Sequence, residues 1–346
     1  MTKSVPPGEH PLQQASLQDK DGRRIDAATR ARRLAEKKAD AMPAVGPVEG
    51  PRLQRVVEAE LASPAPQGGL LGVLQQPYLL KLLVRREIAS MYSASLLGLL
   101  WSYVQPAIRF GVYYLIFGVL LNAHQDVPNF AIHLFCGIVF VHYFSEAFSG
   151  GTRSIWSNRA LVKKMSMPRE IFPVAQMVVA AIHTFPQVVL LAIFCGLAGF
   201  STDLTGIASL VLGVLIVATF AGALAMLFSA VNVYYRDFQN IVGTIVQFMH
   251  FLVPMMYPLS RVAKYADHYP ALYQLYLANP VAAAVVLVQR FFWEGVNQAN
   301  GEHSSATVFP QHLLLRGVIT LAVCIGLLWV CQKVFSRLDS KFPERL

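Results

Sequence analysis

His142 and Glu146 stand four residues apart inside an apolar run, so a helix would put an imidazole and a carboxylate on one face. Such a pair binds a metal, relays a proton, or satisfies itself between helices. No third ligand is visible, so the self-satisfied pair is the expected reading. Arg109 follows Pro106 about a turn into another apolar run, where its long stem would snorkel to the interface rather than line a pathway. Phe110, Tyr113, Tyr114 and Phe117 fall at helical spacing, and Phe140, Tyr143, Phe144 and Phe148 form a second stripe one run later. Phe248 and Phe251 add to these stripes further on. Sugar rings stack their apolar C–H faces on aromatic rings, so the stripes would suit a path for a glycan. Ordinary helix packing is the commoner cause of such a stripe.

Other chemistry is missing. No G-x-x-x-x-G-K-[ST] loop occurs, and the dipeptide Gly-Lys is absent, so the chain has no phosphate cradle of its own. Neither H-E-x-x-H nor G-x-S-x-G is present. Asp203, Asp237 and Asp267 are isolated, which counts against a membrane-embedded glycosyl- or acyltransferase. Cys136, Cys195, Cys324 and Cys331 all fall in apolar runs without a C-x-x-C pair, so buried free thiols are expected.

The richest polar segment is the loop 153–173, R-S-I-W-S-N-R-A-L-V-K-K-M-S-M-P-R-E-I-F-P. It sets Arg153, Arg159, Lys163, Lys164 and Arg169 against one acid, Glu170. A loop of this bias between membrane spans faces the cytoplasm. Ile155, Leu161, Val162 and Met165 keep rough helical spacing, so the loop reads either as a docking surface for a soluble partner or as a plain positive-inside connector.

The elements that must position these residues follow from composition. The chain has 346 residues, 55% hydrophobic and 14% charged. A soluble chain is nearer a quarter charged, so this is a membrane protein, and its net charge of +9 sits in tails and one loop rather than on a nucleic-acid face. Residues 1–69 lack aromatics and any apolar signal region, so a disordered tail is expected, with a transient helix over 26–42. Residues 70–100 hold an amphipathic helix for the headgroup plane, with Lys81, Arg85, Arg86 and Glu87 among Leu79, Leu80, Leu82, Leu83, Ile88, Met91 and Tyr92. Six spans are expected within 101–338, at 101–121, 132–150, 171–199, 207–231, 241–259 and 313–335, with His183 and Pro186 marking a kink in the third. Residues 339–346 form a short tail.

Of the 29 Lys and Arg residues, 24 fall on the side of the two termini when both ends are cytoplasmic, and the opposite orientation inverts the bias. The apolar stretch 279–295 is interrupted by Gln289 and Arg290. It suits a re-entrant or interfacial hairpin in the outer leaflet; a seventh span would carry the basic C-terminal tail outside. Ala218 with Gly222, and Ala221 with Ala225, are spacings that let helices approach closely.

Four motifs in order resemble the membrane subunit of polysaccharide-exporting ABC transporters: S-L-L-G-L-L-W-S-Y-V-Q-P at 95–106, N-R-A-L-V-K-K-M-S-M-P-R-E-I-F-P at 158–173, N-V-Y-Y-R-D-F at 232–238 and V-P-M-M-Y-P-L-S at 253–260. That group exports O-antigen, capsule, teichoic acid and galactan chains. The resemblance covers residues 79–346 and implies an all-α membrane fold with six transmembrane helices per subunit, an interfacial helix before them and short outer-leaflet re-entrant helices between spans five and six. It implies a homodimer in the cytoplasmic membrane with two copies of a separate ATPase, where ATP and Mg bind, and no cofactor in this chain. It places Arg85, Arg86 and Tyr92 on the cytoplasmic interface helix and Arg159, Leu161, Lys163 and Lys164 on the helix that couples to the ATPase. Relatives often carry R-Y-R-G-S before the first span; here Met91-Tyr92-Ser93-Ala94-Ser95 lacks both positive charges. The expected cargo is a lipid-linked polysaccharide, galactan or O-antigen-like. An exporter of drugs or lipids is the alternative within transport.

Overall fold

The computed structural model describes residues 32, 36–37, 69–93, 98–165, 167–266, 268–301, 309–339 and 342–345. The chain divides into two units, 1–61 and 62–346. In the first, only Arg32, Glu36 and Lys37 are described, each helical and exposed. The disordered tail and the transient helix expected there otherwise lie outside the described residues.

In the second unit, every regular element among the described residues is a helix. Among the described residues five helices are long and apolar enough to cross a membrane: Trp101–Leu120, Phe130–Ser157, Ile171–Leu197, Leu204–Tyr234 and Leu313–Asp339. They are spans 1, 2, 3, 4 and 6 of the expected set. Span 1 runs as an α-helix over Trp101–Tyr113 and widens to a π-helix over Tyr114–Leu120.

The expected fifth span differs from 241–259. Its helix is Phe238–Leu252, 15 residues rising about 22 Å, short of the roughly 30 Å of a hydrocarbon core. Pro254 stops it, because a proline ring clashes with the preceding turn and offers no N–H. The non-helical chain that follows is deeply buried: Val253 and Met255 are inaccessible and Met256 nearly so. Exposed backbone is not tolerated at such depth without partners. Gln289, itself 2% exposed, donates from Nε2 to the Pro254 carbonyl at 2.9 Å.

Gln289 belongs to the helix Pro280–Ala299, which joins Pro270–Leu277 at a bend of 74°. Asn279 caps the longer helix by accepting from the Val281 N–H at 3.0 Å, and Pro280 fills its first position. The bent pair lies where the hairpin was expected, and its geometry is that of a broken span or a re-entrant loop. Its apolar face, Val281, Ala284, Val285, Leu287 and Val288, is buried with span 2 and span 4 residues in the main core.

Small residues set the closest approaches. A Cβ on Gly151 of span 2 would lie 2.4 Å from the Ala225 Cβ of span 4. A Cβ on Gly213 of span 4 would lie 2.9 Å from the Ala284 carbonyl. Ala221 and Ala225, picked out by their spacing, are both fully buried.

A second apolar cluster closes the end that carries the basic loop. It joins Leu83 and Val84 of the helix Pro77–Tyr92 to Ile155, Val162, Ile171, Phe172, Phe335 and Phe342. The expected interface helix therefore packs on the bundle by its apolar face, while Tyr78, Leu82 and Met91 remain exposed.

Candidate coupling site and aromatic stripes

Span 2 ends at Ser157, and after Asn158 the chain turns into a separate six-residue helix, Arg159–Lys164. A helix this short has no stability of its own. Val162, 5% exposed, anchors it in the apolar cluster of the basic end. Leu161 is half-buried, whereas Arg159, Lys163, Lys164 and Met165 are exposed. Met165 thus stands outside the apolar face that its spacing implied, because the helix ends before it. Lys163 and Lys164 form no ion pair with any described residue. Arg159 lies over the Trp156 ring at 5.0 Å, and Arg236, from the turn between spans 4 and 5, lies over the same ring at 3.8 Å. Arg169 is committed elsewhere: it bonds Asp339 at 2.9 Å and lies 5.7 Å from the Phe342 ring. Glu170 is 5% exposed, and burial pushes its carboxyl above the ordinary range.

The interface helix reaches this site. Arg86 donates from Nη1 to Asn158 Oδ1 at 3.0 Å, and Asn158 is buried at the junction of span 2 and the short helix. Arg85 is exposed. Tyr92, the last residue of the helix, points into the bundle. Its hydroxyl is 2.7 Å from Ser102 Oγ and 3.0 Å from His183 Nε2.

The ionisable pair seen in the sequence has a different principal partner. His142 Nε2 is 3.5 Å from Glu146 Oε2, but the carboxylate's close hydrogen bond is to Nδ1 of His183 in span 3. His183 was legible only as part of a kink. Gln187, one turn on, donates to the Ser102 carbonyl at 3.3 Å. That carbonyl is the one left without its helical donor by Pro106, which has no N–H. Arg109 turns toward span 5 and meets His250 Nε2 at 3.2 Å. No metal-holding cluster is present among the described residues.

The aromatic stripes separate by burial. Phe144 and Phe148 are inaccessible and Phe140 is 5% exposed. Phe144 stacks on Phe220 at 5.7 Å, and Phe148 meets Phe228 edge-on at 5.2 Å, both in span 4. These three fill the space between helices. Phe110, Tyr113, Tyr114 and Phe117 of span 1 are half-buried. Phe110 packs edge-on against Phe135 at 5.4 Å, and Tyr113 against Phe117 at 6.3 Å. Tyr143 lines an open groove of about 410 Å³ with Met177, Val178, Ile182 and Phe185 of span 3.

Residues 78–292 match the ABC-2 type transporter family. The chain belongs to that family. It is also 29% identical over 265 residues to the O-antigen export system permease protein RfbA of Myxococcus xanthus, covering 76% of this chain and 94% of the relative. A Klebsiella pneumoniae protein of the same name is 23% identical over 272 residues, covering 78% of this chain and 95% of the relative. This ABC-2 chain is therefore a multi-pass membrane protein, and the matched stretch opens within the interface helix and includes the basic loop and both aromatic stripes.

In the ABC-2 chain, sequence reasoning found the helical segment in the basic loop and the helical spacing of the aromatics, and missed the contacts of His183, Gln187 and Gln289. The available signal was polarity: each is a hydrogen-bonding side chain within an otherwise apolar run. Their partners come from other helices and leave no local pattern.

Proposed function

We propose that the chain is the permease subunit of an ABC transporter that exports a lipid-linked polysaccharide, O-antigen-like or galactan, outward across the cytoplasmic membrane. It works as a homodimer with two copies of a separate ATPase, which supplies ATP and Mg. The observation that carries this reading is the alignment with O-antigen export permeases over nearly their whole length. The absent phosphate loop supports an ATPase on another chain. The exposed Arg159, Lys163 and Lys164, on a helix anchored by Val162 and flanked by Leu161, support docking of that ATPase at the basic end. The charge bias of the loops supports cytoplasmic termini. Phe110, Tyr113, Tyr114, Phe117 and Tyr143 are the stripe residues that stay partly accessible, which supports a place for them along a glycan path.

The test is depletion of the protein in its own cells, with identification of the glycan that accumulates on the cytoplasmic side, and co-purification of the tagged chain with an ATPase. A lipid-linked polysaccharide trapped inside is the expected result. Accumulation of a drug or lipid substrate with normal surface glycan would overturn the cargo, and purification without any ATPase would overturn the transporter class.

A further inference from the structure

The interface helix Pro77–Tyr92 is tied to the bundle by polar contacts at two points. At one, Arg86 holds Asn158, the residue that ends span 2 and begins the docking helix Arg159–Lys164. At the other, six residues on, the Tyr92 hydroxyl joins Ser102 of span 1 to His183 of span 3, and His183 holds Glu146 of span 2. With His183 neutral, the order is Ser102 O–H donating to the Tyr92 oxygen, Tyr92 O–H donating to Nε2 of His183, and Nδ1–H of His183 donating to the Glu146 carboxylate; with His183 protonated, Nε2–H donates to Tyr92 and Tyr92 O–H to Ser102, and the same contacts are kept.

The apolar contacts of the helix, through Leu83, Val84 and Ile88, are non-directional. They hold the helix on the bundle without fixing its register along its axis. Hydrogen bonds do fix register. His183 is 5% exposed, so breaking one leaves a buried polar group without its partner. The row is therefore made or broken, not gradually stretched.

We infer that Tyr92, His183 and Glu146 form a clasp that, with Arg86 and Asn158, makes the interface helix and the docking helix move as one body with spans 2 and 3. These are positioning residues. Displacement of Arg159–Lys164 by a partner reaches the middle of the bundle through the clasp. This inference rests on the reading of the chain as an ATP-driven exporter.

The test uses the full chain with its ATPase in cells lacking the native copy, with surface glycan, membrane abundance and ATP hydrolysis of the purified complex measured together. Tyr92→Phe removes only the hydroxyl and keeps the ring against His183, whose centroid is 5.7 Å away. It is expected to leave abundance and ATP hydrolysis unchanged and to lower export per ATP by about twofold to tenfold, the range that loss of one hydrogen bond of ordinary net strength gives. Arg86→Gln shifts export per ATP the same way. The double variant is no worse than the worse single, because the two ties act in series. Ser102→Ala, which leaves the Tyr92–His183 bond in place, stays near wild type. Wild-type export per ATP in Tyr92→Phe, additive losses in the double variant, or a fall in abundance that accounts for the lost export would each overturn the clasp. A wild-type complex that neither hydrolyses ATP nor exports glycan would instead overturn the exporter reading.

Discussion

Trp156 carries two guanidinium groups on one ring, Arg159 at 5.0 Å and Arg236 at 3.8 Å. The basic loop is thereby joined to the turn between spans 4 and 5 without an acid, which leaves its charge available to a partner. Glu170 is the one carboxylate of that loop, and it is buried. Burial raises its pKa, so the folded chain holds the proton more tightly than the unfolded chain. This group's contribution to stability therefore falls as pH rises above the ordinary carboxylate range. Glu170→Gln removes the ionisation and is expected to match or exceed wild-type thermal stability at neutral pH, read by fluorescence-detected unfolding in detergent. A clear loss would mean that the charge is held by Arg169 more strongly than burial opposes it. The half-buried aromatics permit a second residue-level prediction. Tyr113, Phe117 and Tyr143 replaced together by Leu keep an apolar surface and should insert normally while slowing export. Export at the wild-type rate would make them packing groups, as Phe144 and Phe148 are by their contacts.

Elements here are placed by small residues and short anchors. Gly137 of span 2 faces the non-helical chain after the fifth helix: a Cβ there would lie 2.1 Å from the Met255 Cβ and 3.1 Å from its Cα. Backbone on that side cannot yield as a long side chain would. Gly137→Ala is expected to destabilise by about 1–3 kcal/mol or more, seen as a lower melting temperature and aggregation in detergent. Gly243→Ala, on the fifth helix, meets nothing within 4 Å and should be tolerated. Equal behaviour of the two variants would show that span 2 and this segment separate more easily than their contact implies. The docking helix gives a different prediction. Its charges point outward while Val162 alone is buried, so Arg159→Glu, Lys163→Glu and Lys164→Glu together leave the fold intact. The triple variant should insert at normal abundance yet fail to stimulate the partner ATPase, because reversed rim charges alter encounter and register. Normal stimulation and normal export would place docking elsewhere.

At the scale of the whole molecule, the described residues hold five helices long and apolar enough to cross a membrane, or six if the bent pair is one span. Such a body has no nucleotide cradle in its sequence. The purified chain alone is expected to show no ATP hydrolysis above that of a preparation lacking it, with activity appearing only on addition of its ATPase partner. Activity that follows the pure chain through successive columns would contradict this.

The sequence by itself determined the class of the protein: apolar runs of spanning length force helices, since a helix satisfies its own backbone in lipid. It also pointed to a short helix in the basic loop from local spacing, although of the apolar residues Leu161, Val162 and Met165 only Val162 is buried. Proline at 254 was a readable stop for the fifth helix, yet the run 241–259 is mostly apolar on both sides of it, and hydropathy does not record where a helix ends. Only the tertiary structure decided which polar groups meet. Glu146 faced His142 by periodicity and found His183 in space; Gln289 read as an interruption and became the partner of a buried carbonyl. It also decided which aromatics lie in the core, burying Phe144 and leaving Tyr143 on a groove one residue away. The physical reason is that local spacing fixes a side chain's angle about its own helix, whereas partners depend on the rotation and depth of the neighbouring helices, which only packing sets.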